Sequence, residues 1–300
     1  MIISASRRTD IPAFYSKWFM NRVRAGFCTV PNPFNPTQVS AVSLGPENVD
    51  VIVFWTKNAR PMLEYCNELD RSGYRYYYQF TLNGYPGVLE PGMPPLDELI
   101  DTFRGLASII GPNRVVWRYD PIVLSDLTPE SYHAERFSEI AGKLAGSTTR
   151  VVISLLDMYR KVEQRLVRLE KAGAVRVTPI LAPPRRLLAT LASVAAEHGM
   201  EIVSCAEPFD LTDCGIGPGK CVDDDYIKAA FGIDVTHTKD PAQRRECGCV
   251  RSKDIGAFNT CVHGCAYCYA NADLAAVQRR FRLHDPESPS LAGWHIPVET

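Results

Sequence analysis

Three cysteines fall within eight residues near the end of the chain, in FNTCVHGCAYCYAN (258–271), as Cys261-x3-Cys265-x2-Cys268. Thiolates gathered at that density bind metal or do redox chemistry. Structural zinc takes four protein ligands, often as two CxxC knuckles, and this triplet offers only Cys265-x2-Cys268 in that form. His263 would complete a zinc set only by folding back onto the metal beside its neighbours. Three cysteines on a four-iron cluster instead leave one iron without a protein ligand, a position open to a small molecule. An open iron implies chemistry rather than scaffolding.

Ten cysteines occur in 300 residues, and only Cys28 and Cys66 lie in the first two-thirds; those two read as small buried hydrophobes. Cys205, Cys214, Cys221, Cys247 and Cys249 precede the triplet. In a chain without a secretory pattern such crowding points to metal rather than disulfides. Cys205, Cys221, Cys247 and Cys249 supply a complete four-thiolate set, expected to hold a second iron–sulfur cluster, with zinc as the alternative metal and Cys214 as the competing ligand. GIGPGK (215–220) is one residue short of a phosphate loop, and Cys221 stands where Ser or Thr would reach magnesium.

The elements that must position these residues alternate. Runs of strand character recur at 1–6, 50–56, 74–82, 114–119, 150–156 and 200–206. Stretches with helical apolar spacing lie at 12–25, 60–72, 95–110, 129–145, 157–172 and 184–198, and Gly26, Gly73, Gly111, Gly146, Gly173 and Gly199 stand at their stops. The pattern predicts an α/β fold, a partial (β/α) barrel of six or seven parallel strands with chemistry at the strands' carboxyl ends. Polar residues collect there: Arg7, Arg8, Thr9 and Asp10 after the first run, Lys57 and Asn58 after the second, Thr81 and Asn83 at the third, Arg118 and Asp120 at the fourth, Asp157 at the fifth, and Cys205 and Glu207 at the sixth. The periodic part, 1–210, is followed by an irregular Cys-rich segment (211–254), then 255–285 around the cysteine loop, and a tail (286–300).

The composition, 46% hydrophobic and 22% charged, is that of a globular protein with a large core. With 33 basic against 34 acidic side chains there is no global field for nucleic acid or an anionic membrane. Arg7, Arg8, Arg22 and Arg24 are enough for one phosphate. No run reaches the ~18 apolar residues of a membrane span and no signal pattern opens the chain, so a cytoplasmic location is expected.

Cys261, Cys265, Tyr267 and Cys268 together resemble the cluster motif of radical S-adenosylmethionine (SAM) enzymes, which usually carry it near the N-terminus. With SASRRTDIP (4–12), FWTKN (54–58), CGCVRSKDIG (247–256) and TCVHGCAYCYAN (260–271), nearly the whole chain resembles the family called domain of unknown function 1848. A weaker likeness, to spore photoproduct lyase-like radical SAM proteins, rests on TKN, FTL, LEPGMPPLDELIDTF (89–103) and RYDPI (118–122). The resemblance implies a circularly permuted barrel in which 255–285 is the unit that ordinarily comes first. It also implies a [4Fe-4S] cluster, SAM bound at its open iron, reductive cleavage to a 5′-deoxyadenosyl radical, and hydrogen abstraction from an unidentified small-molecule substrate. An electron donor such as flavodoxin or ferredoxin would serve it. In these terms Lys57 pairs with the SAM carboxylate, Thr81 adds a hydroxyl, Ser4, Ser6 and Arg8 occupy the amino-group site although no GGE is present, Tyr267 packs near the adenine, and Arg118 and Asp120 contact SAM or substrate or pair with each other. The alternatives are a non-catalytic iron–sulfur electron carrier, which would bind no SAM and have little need for so large a barrel, and a nucleic-acid-directed repair enzyme, whose large footprint the balanced charge disfavours.

Overall fold

The computed structural model describes residues 1–297, so the last three residues of the expected tail lie outside it. In chain order the strands are β1 (Ile2–Ala5), β2 (Phe27–Asn32), β3 (Asn35–Ser43), β4 (Val51–Thr56), β5 (Tyr76–Thr81), β6 (Val115–Ile122), β7 (Arg150–Leu155), β8 (Glu201–Cys205), β9 (Gly217–Gly219) and β10 (Lys253–Asp254). The helices are α1 (Ile11–Phe14), α2 (Ser16–Ala25), α3 (Cys66–Arg71), α4 (Leu96–Ile110), α5 (Glu130–Leu144), α6 (Arg160–Lys171), α7 (Arg185–Glu197), α8 (Asp224–Phe231) and α9 (Leu274–Arg282). Eight strands form one sheet in the order β10-β1-β4-β5-β6-β7-β8-β9, and β2 and β3 form a separate antiparallel hairpin. The six predicted strands and the six predicted helical stretches all appear. The hairpin, the edge strand β9 and helix α8 do not follow from the alternation.

The chain divides into two compact units. Among the described residues the first comprises 1–78, 252–262 and 270–297. In it β1 runs parallel to β4, Ile3 opposite Ile52, and parallel to β10, Ile3 opposite Lys253. The last strand, β10, thus stands beside the first and covers only 253–254. Phe54 stacks on Tyr78 with centroids 4.7 Å apart and meets Phe19 edge-on at 5.1 Å. These rings, with Ile3 and Trp18, are fully buried. Helix α2 stops at Gly26, whose φ of 77° lets its N–H reach the Val23 carbonyl, a conformation that costs a side-chain-bearing residue about 1 kcal/mol or more. The tail is tied down: Trp18 Nε1 donates to the Ser288 carbonyl at 3.0 Å and Thr29 N–H to that of Pro289 at 2.8 Å.

The second unit comprises 79–251 and 263–269. Parallel pairing carries β6 to β7, β7 to β8 and β8 to β9. Helix α4 buries Leu99, Ile100, Phe103, Leu106, Ala107 and Ile110, the i, i+3, i+4 stripe that packs one face, and places Asp97 and Glu98 in its first turn, where carboxylates favour the helix dipole. Trp117 stacks on Phe137 at 4.6 Å and Phe80 meets Phe103 at 5.1 Å. Each such aromatic buried from water contributes roughly 2–3 kcal/mol. The segment read as irregular is ordered in its first half by β9 and α8, the latter capped by the Asp223 carboxylate on the N–H groups of Asp225 and Tyr226. From 233 to 252 no helix or strand forms.

Candidate functional site

In the first unit the carboxyl end of β1 is organised by the acidic residue of the CGCVRSKDIG stretch. Asp254 accepts the hydroxyls of Ser4 at 2.8 Å and Ser6 at 2.7 Å, and the N–H groups of Arg7 at 2.9 Å and Gly256 at 3.0 Å. Both serines are buried, and Trp55 Nε1 also donates to Ser4 Oγ at 3.1 Å. A Cβ on Gly256 would strike the Ser6 side chain, so glycine is required there for close approach. Arg8 lies with its guanidinium carbon 5.0 Å from the Phe258 ring centre. Lys57 follows β4, is partly exposed, and its N–H donates to Asp10 Oδ2 at 2.7 Å. The Cys261 carbonyl accepts Asn271 Nδ2 at 2.6 Å, and Tyr15 donates to the carbonyl of Thr260, its neighbour, at 2.7 Å. A cleft of about 270 Å³ adjoins them, lined in part by Thr260, Tyr15, Arg280, His284 and Trp294.

Cys265 and Cys268 belong to the second unit, where the backbone of their loop is wrapped around one guanidinium. Arg165 of α6 donates to the carbonyls of Cys265 at 3.2 Å, Ala266 at 2.8 Å and Cys268 at 3.0 Å. Three carbonyls converge on one cation and fix the turn that spaces the two thiols. Tyr267 is buried in an apolar cluster with Tyr85, Leu89, Val123 and Val162, and its hydroxyl engages Glu90 and, at 3.2 Å, Asn83 Nδ2. Burial, with the Glu90 charge next, holds that phenol neutral, well above its ordinary pKa. The aromatic residue of the motif is therefore a hydrogen-bonded anchor in the core. His263 is buried and its carbonyl accepts Gly92 N–H at 3.0 Å; a Cβ on Gly92 would meet that carbonyl.

A second thiol group lies at the β8–β9 edge. Cys205 ends β8, and its Sγ is 2.9 Å from that of Cys221, just beyond β9. The Cys249 sulfur accepts N–H bonds from Cys221 at 3.3 Å and Val222 at 3.4 Å. Cys221, Cys247 and Cys249 are buried and Cys205 is partly so. Hydrogen bonding from Cys221, and then the Arg118 charge, pull Cys205 below the ordinary thiol range. Cys214 is elsewhere, its sulfur 3.7 Å from the Arg185 carbonyl and 3.6 Å from Asp213 Oδ1. Cys28 and Cys66 are fully buried, and burial raises the Cys28 thiol to about 12.

Arg118 and Asp120 form an ion pair on β6, and Arg118 Nη1 also donates to Gln79 Oε1 at 3.3 Å and to Cys221 Sγ at 2.8 Å. Of the expected partners for Arg118, then, the structure brings it Asp120, and adds a thiol. Asp120 further accepts the Ser154 hydroxyl. Thr81 ends β5, partly exposed. Burial raises Glu207 to about 7, which places its titration near neutrality; its Oε1 accepts Leu155 N–H at 2.8 Å. Asp254 and Glu90 lie in the stretches CGCVRSKDIG and LEPGMPPLDELIDTF, yet the sequence assigns no role to them, to Arg165 or to Gln79, because each meets a partner across more than 90 residues of chain.

Fold and site together define an α/β protein built on a large parallel sheet, with cysteine groups in its carboxyl-terminal third. The chain belongs to the family described as Domain of unknown function (DUF1848), which matches residues 2–270. No curated protein matches it. Among solved structures it is similar to a putative alpha-L-fucosidase from Bacteroides thetaiotaomicron VPI-5482, at 11% identity over 80% of this chain and 83% of that one, with a TM-score of 0.27, too slight a likeness to transfer fold or activity. No helix among the described residues is long and apolar enough to cross a membrane.

Proposed function

We propose that this protein is a radical SAM-type enzyme, built on a partial (β/α) barrel permuted so that its cluster-bearing unit comes last. The observation that carries the reading is the Cys261-x3-Cys265-x2-Cys268 loop, whose carbonyls at Cys265, Ala266 and Cys268 are gathered on Arg165. The donor set fits: three thiols on one short loop suit a four-iron cluster with one open iron and are one ligand short for structural zinc. Such a cluster, when bound, supplies one-electron reduction of the SAM sulfonium. The protein's own part is to bind and orient SAM and to exclude water from the radical. Lys57, at the end of β4, is the candidate partner of the SAM carboxylate, Thr81 a hydroxyl contact, and Ser4, Ser6 and Arg8 the amino-group region. The Ser4 and Ser6 hydroxyls already donate to Asp254. In this reading they act through the carboxylate that they hold, and Asp254 becomes the acceptor for the SAM ammonium. Tyr267 is left as a loop anchor.

The test is anaerobic reconstitution with iron and sulfide, dithionite reduction and addition of SAM, followed by chromatography for 5′-deoxyadenosine and methionine. Both products are expected from the wild-type protein and neither from Cys265→Ala. A fully loaded protein that binds SAM no better than Cys265→Ala and forms neither product would overturn the assignment.

A further inference from the structure

We infer that Cys205, Cys221, Cys247 and Cys249 form a second, separate iron–sulfur centre, and that Arg118 is its charge-compensating positioning residue. The four thiols come from three stretches of chain: the end of β8, the turn after β9, and the 233–252 segment that forms no helix or strand. An antiparallel bridge between Lys239 and Val250, and the Val250 N–H on the Val222 carbonyl at 3.1 Å, bring Cys249 beside the turn that carries Cys221. Cys247 and Cys249 sit on that segment and are buried nonetheless. Two backbone N–H groups aim at the Cys249 sulfur and a guanidinium contacts the Cys221 sulfur at 2.8 Å. Donors of this kind are what anionic sulfur requires when it is removed from water. The nearest sheet neighbours are shaped to admit it: a Cβ on Gly219 would stand 2.6 Å from Val203, so only glycine lets β9 lie against β8 at Cys205.

The spacing selects the class of metal centre. A single tetrahedral ion with metal–sulfur bonds of about 2.3 Å brings all four sulfurs within roughly 3.8 Å of one another. Among the described residues, the group with three or more ligand atoms all within 4.8 Å is Asp223, Asp224 and Asp225, which Arg150, Lys220 and His237 already engage. Among the described residues no three of the four sulfurs lie all within 4.8 Å of one another, although those of Cys205 and Cys221 are 2.9 Å apart. Several irons bridged by sulfide hold thiolates apart in this manner, whereas one ion does not. Ligation would replace the Cys205–Cys221 hydrogen bond, each thiol giving its proton to solvent as its sulfur takes an iron. Arg118 is placed for a role there: its remaining donors are held by Asp120 and Gln79, so its charge stays against Cys221. Cation and N–H···S contacts favour the reduced, more negative cluster and raise its reduction potential.

This inference does not depend on the Cys261 site, and one variant separates them. With Cys261, Cys265 and Cys268 all changed to Ala, anaerobically purified protein is expected to keep its brown colour and about half of the wild-type iron and acid-labile sulfide. Adding Cys249→Ser should remove the remainder. If the triple variant is free of iron and sulfide while the wild type is loaded, the second centre is refuted and the proposed function stands. Stoichiometric zinc without sulfide, or a Cys205–Cys221 disulfide in metal-free protein, refutes it equally. A loaded triple variant beside a wild type that never cleaves SAM would leave this centre in place and remove the other. For Arg118, all four thiols are retained in Arg118→Met and Arg118→Lys made in the triple-variant background. Spectroscopic redox titration should give a lower potential for Met, with Lys intermediate; identical potentials at equal iron content would refute the role of Arg118.

Discussion

The Asp254 carboxylate accepts the hydroxyl of Ser4 at 2.8 Å across 250 residues of chain, joining the last strand of the sheet to the first. Asp254→Ala would leave four donors, two hydroxyls and two backbone N–H groups, without their acceptor. Hydrogen bonds to a charged group contribute about 1.5–3 kcal/mol each, less where water can replace the partner. A loss of at least ~3 kcal/mol in urea unfolding is expected, with Asp254→Asn recovering part. A change within experimental scatter would show that this junction does not hold β10 to β1.

His133 is buried, with Nδ1 2.8 Å from the Tyr119 hydroxyl and Nε2 3.0 Å from the Val123 carbonyl. Burial lowers its pKa from 6.5 to about 4. The unfolded chain therefore binds this proton more readily than the folded one. The stability that the neutral ring confers is complete above pH 6.5 and is lost as the pH falls from there through 4, up to about 3 kcal/mol. Unfolding free energies of wild type and His133→Gln at pH 7.5 and pH 5 should converge at the lower pH. A constant difference would rule out His133 titration as the cause.

Arg165→Ala removes three hydrogen bonds from the carbonyls of Cys265, Ala266 and Cys268. Iron bound by the Cys261 loop is expected to fall severalfold, and a planar guanidinium serving three acceptors is not replaced by lysine. Iron and sulfide assays on both variants, with near-ultraviolet dichroism as the control for folding, test this. Full occupancy in Arg165→Lys would mean that charge alone suffices.

Cys214 has its contacts with Arg185 and Asp213, away from the four-thiol group. Metal content should be unchanged in Cys214→Ser and reduced in Cys221→Ser and in Cys249→Ser. Elemental analysis of the three proteins side by side decides it, and an equal loss in all three would bring Cys214 into the ligand set.

Lys57→Ala should weaken SAM binding about tenfold to a hundredfold, the effect of losing a charge-assisted hydrogen bond of roughly 1.5–3 kcal/mol, while the cluster stays intact. Arginine should restore only part of the affinity, since its fork does not reproduce a compact ammonium. Calorimetry at matched iron content measures this. Equal affinities would take Lys57 out of the SAM site.

The chain's own order of residues determined the alternation of strands and helices, because periods of 2.0 and 3.6 residues are local properties written in consecutive side chains. It determined equally the six helix stops at glycine, all with positive φ, and the crowding of thiols toward the end. The Cys261 loop was legible for the same reason, its ligands lying within eight residues. What only the tertiary structure decided were meetings between distant segments. β10 beside β1, Asp254 beneath two serines, Arg165 under the cysteine loop, and Arg118 against Cys221 are each separated by about 100 residues or more. The β2–β3 hairpin was missed because Pro31 and Asn32–Asn35 interrupt the alternation that marks a strand. Cys214 shows the limit most directly: by type and position it was as good a ligand as Cys221, and only the packing of the chain after β8 sends one thiol to Arg185 and the other to Arg118. Spacing along a chain lists which ligands are possible, and the fold chooses among them, because ligation is a condition on distances in space.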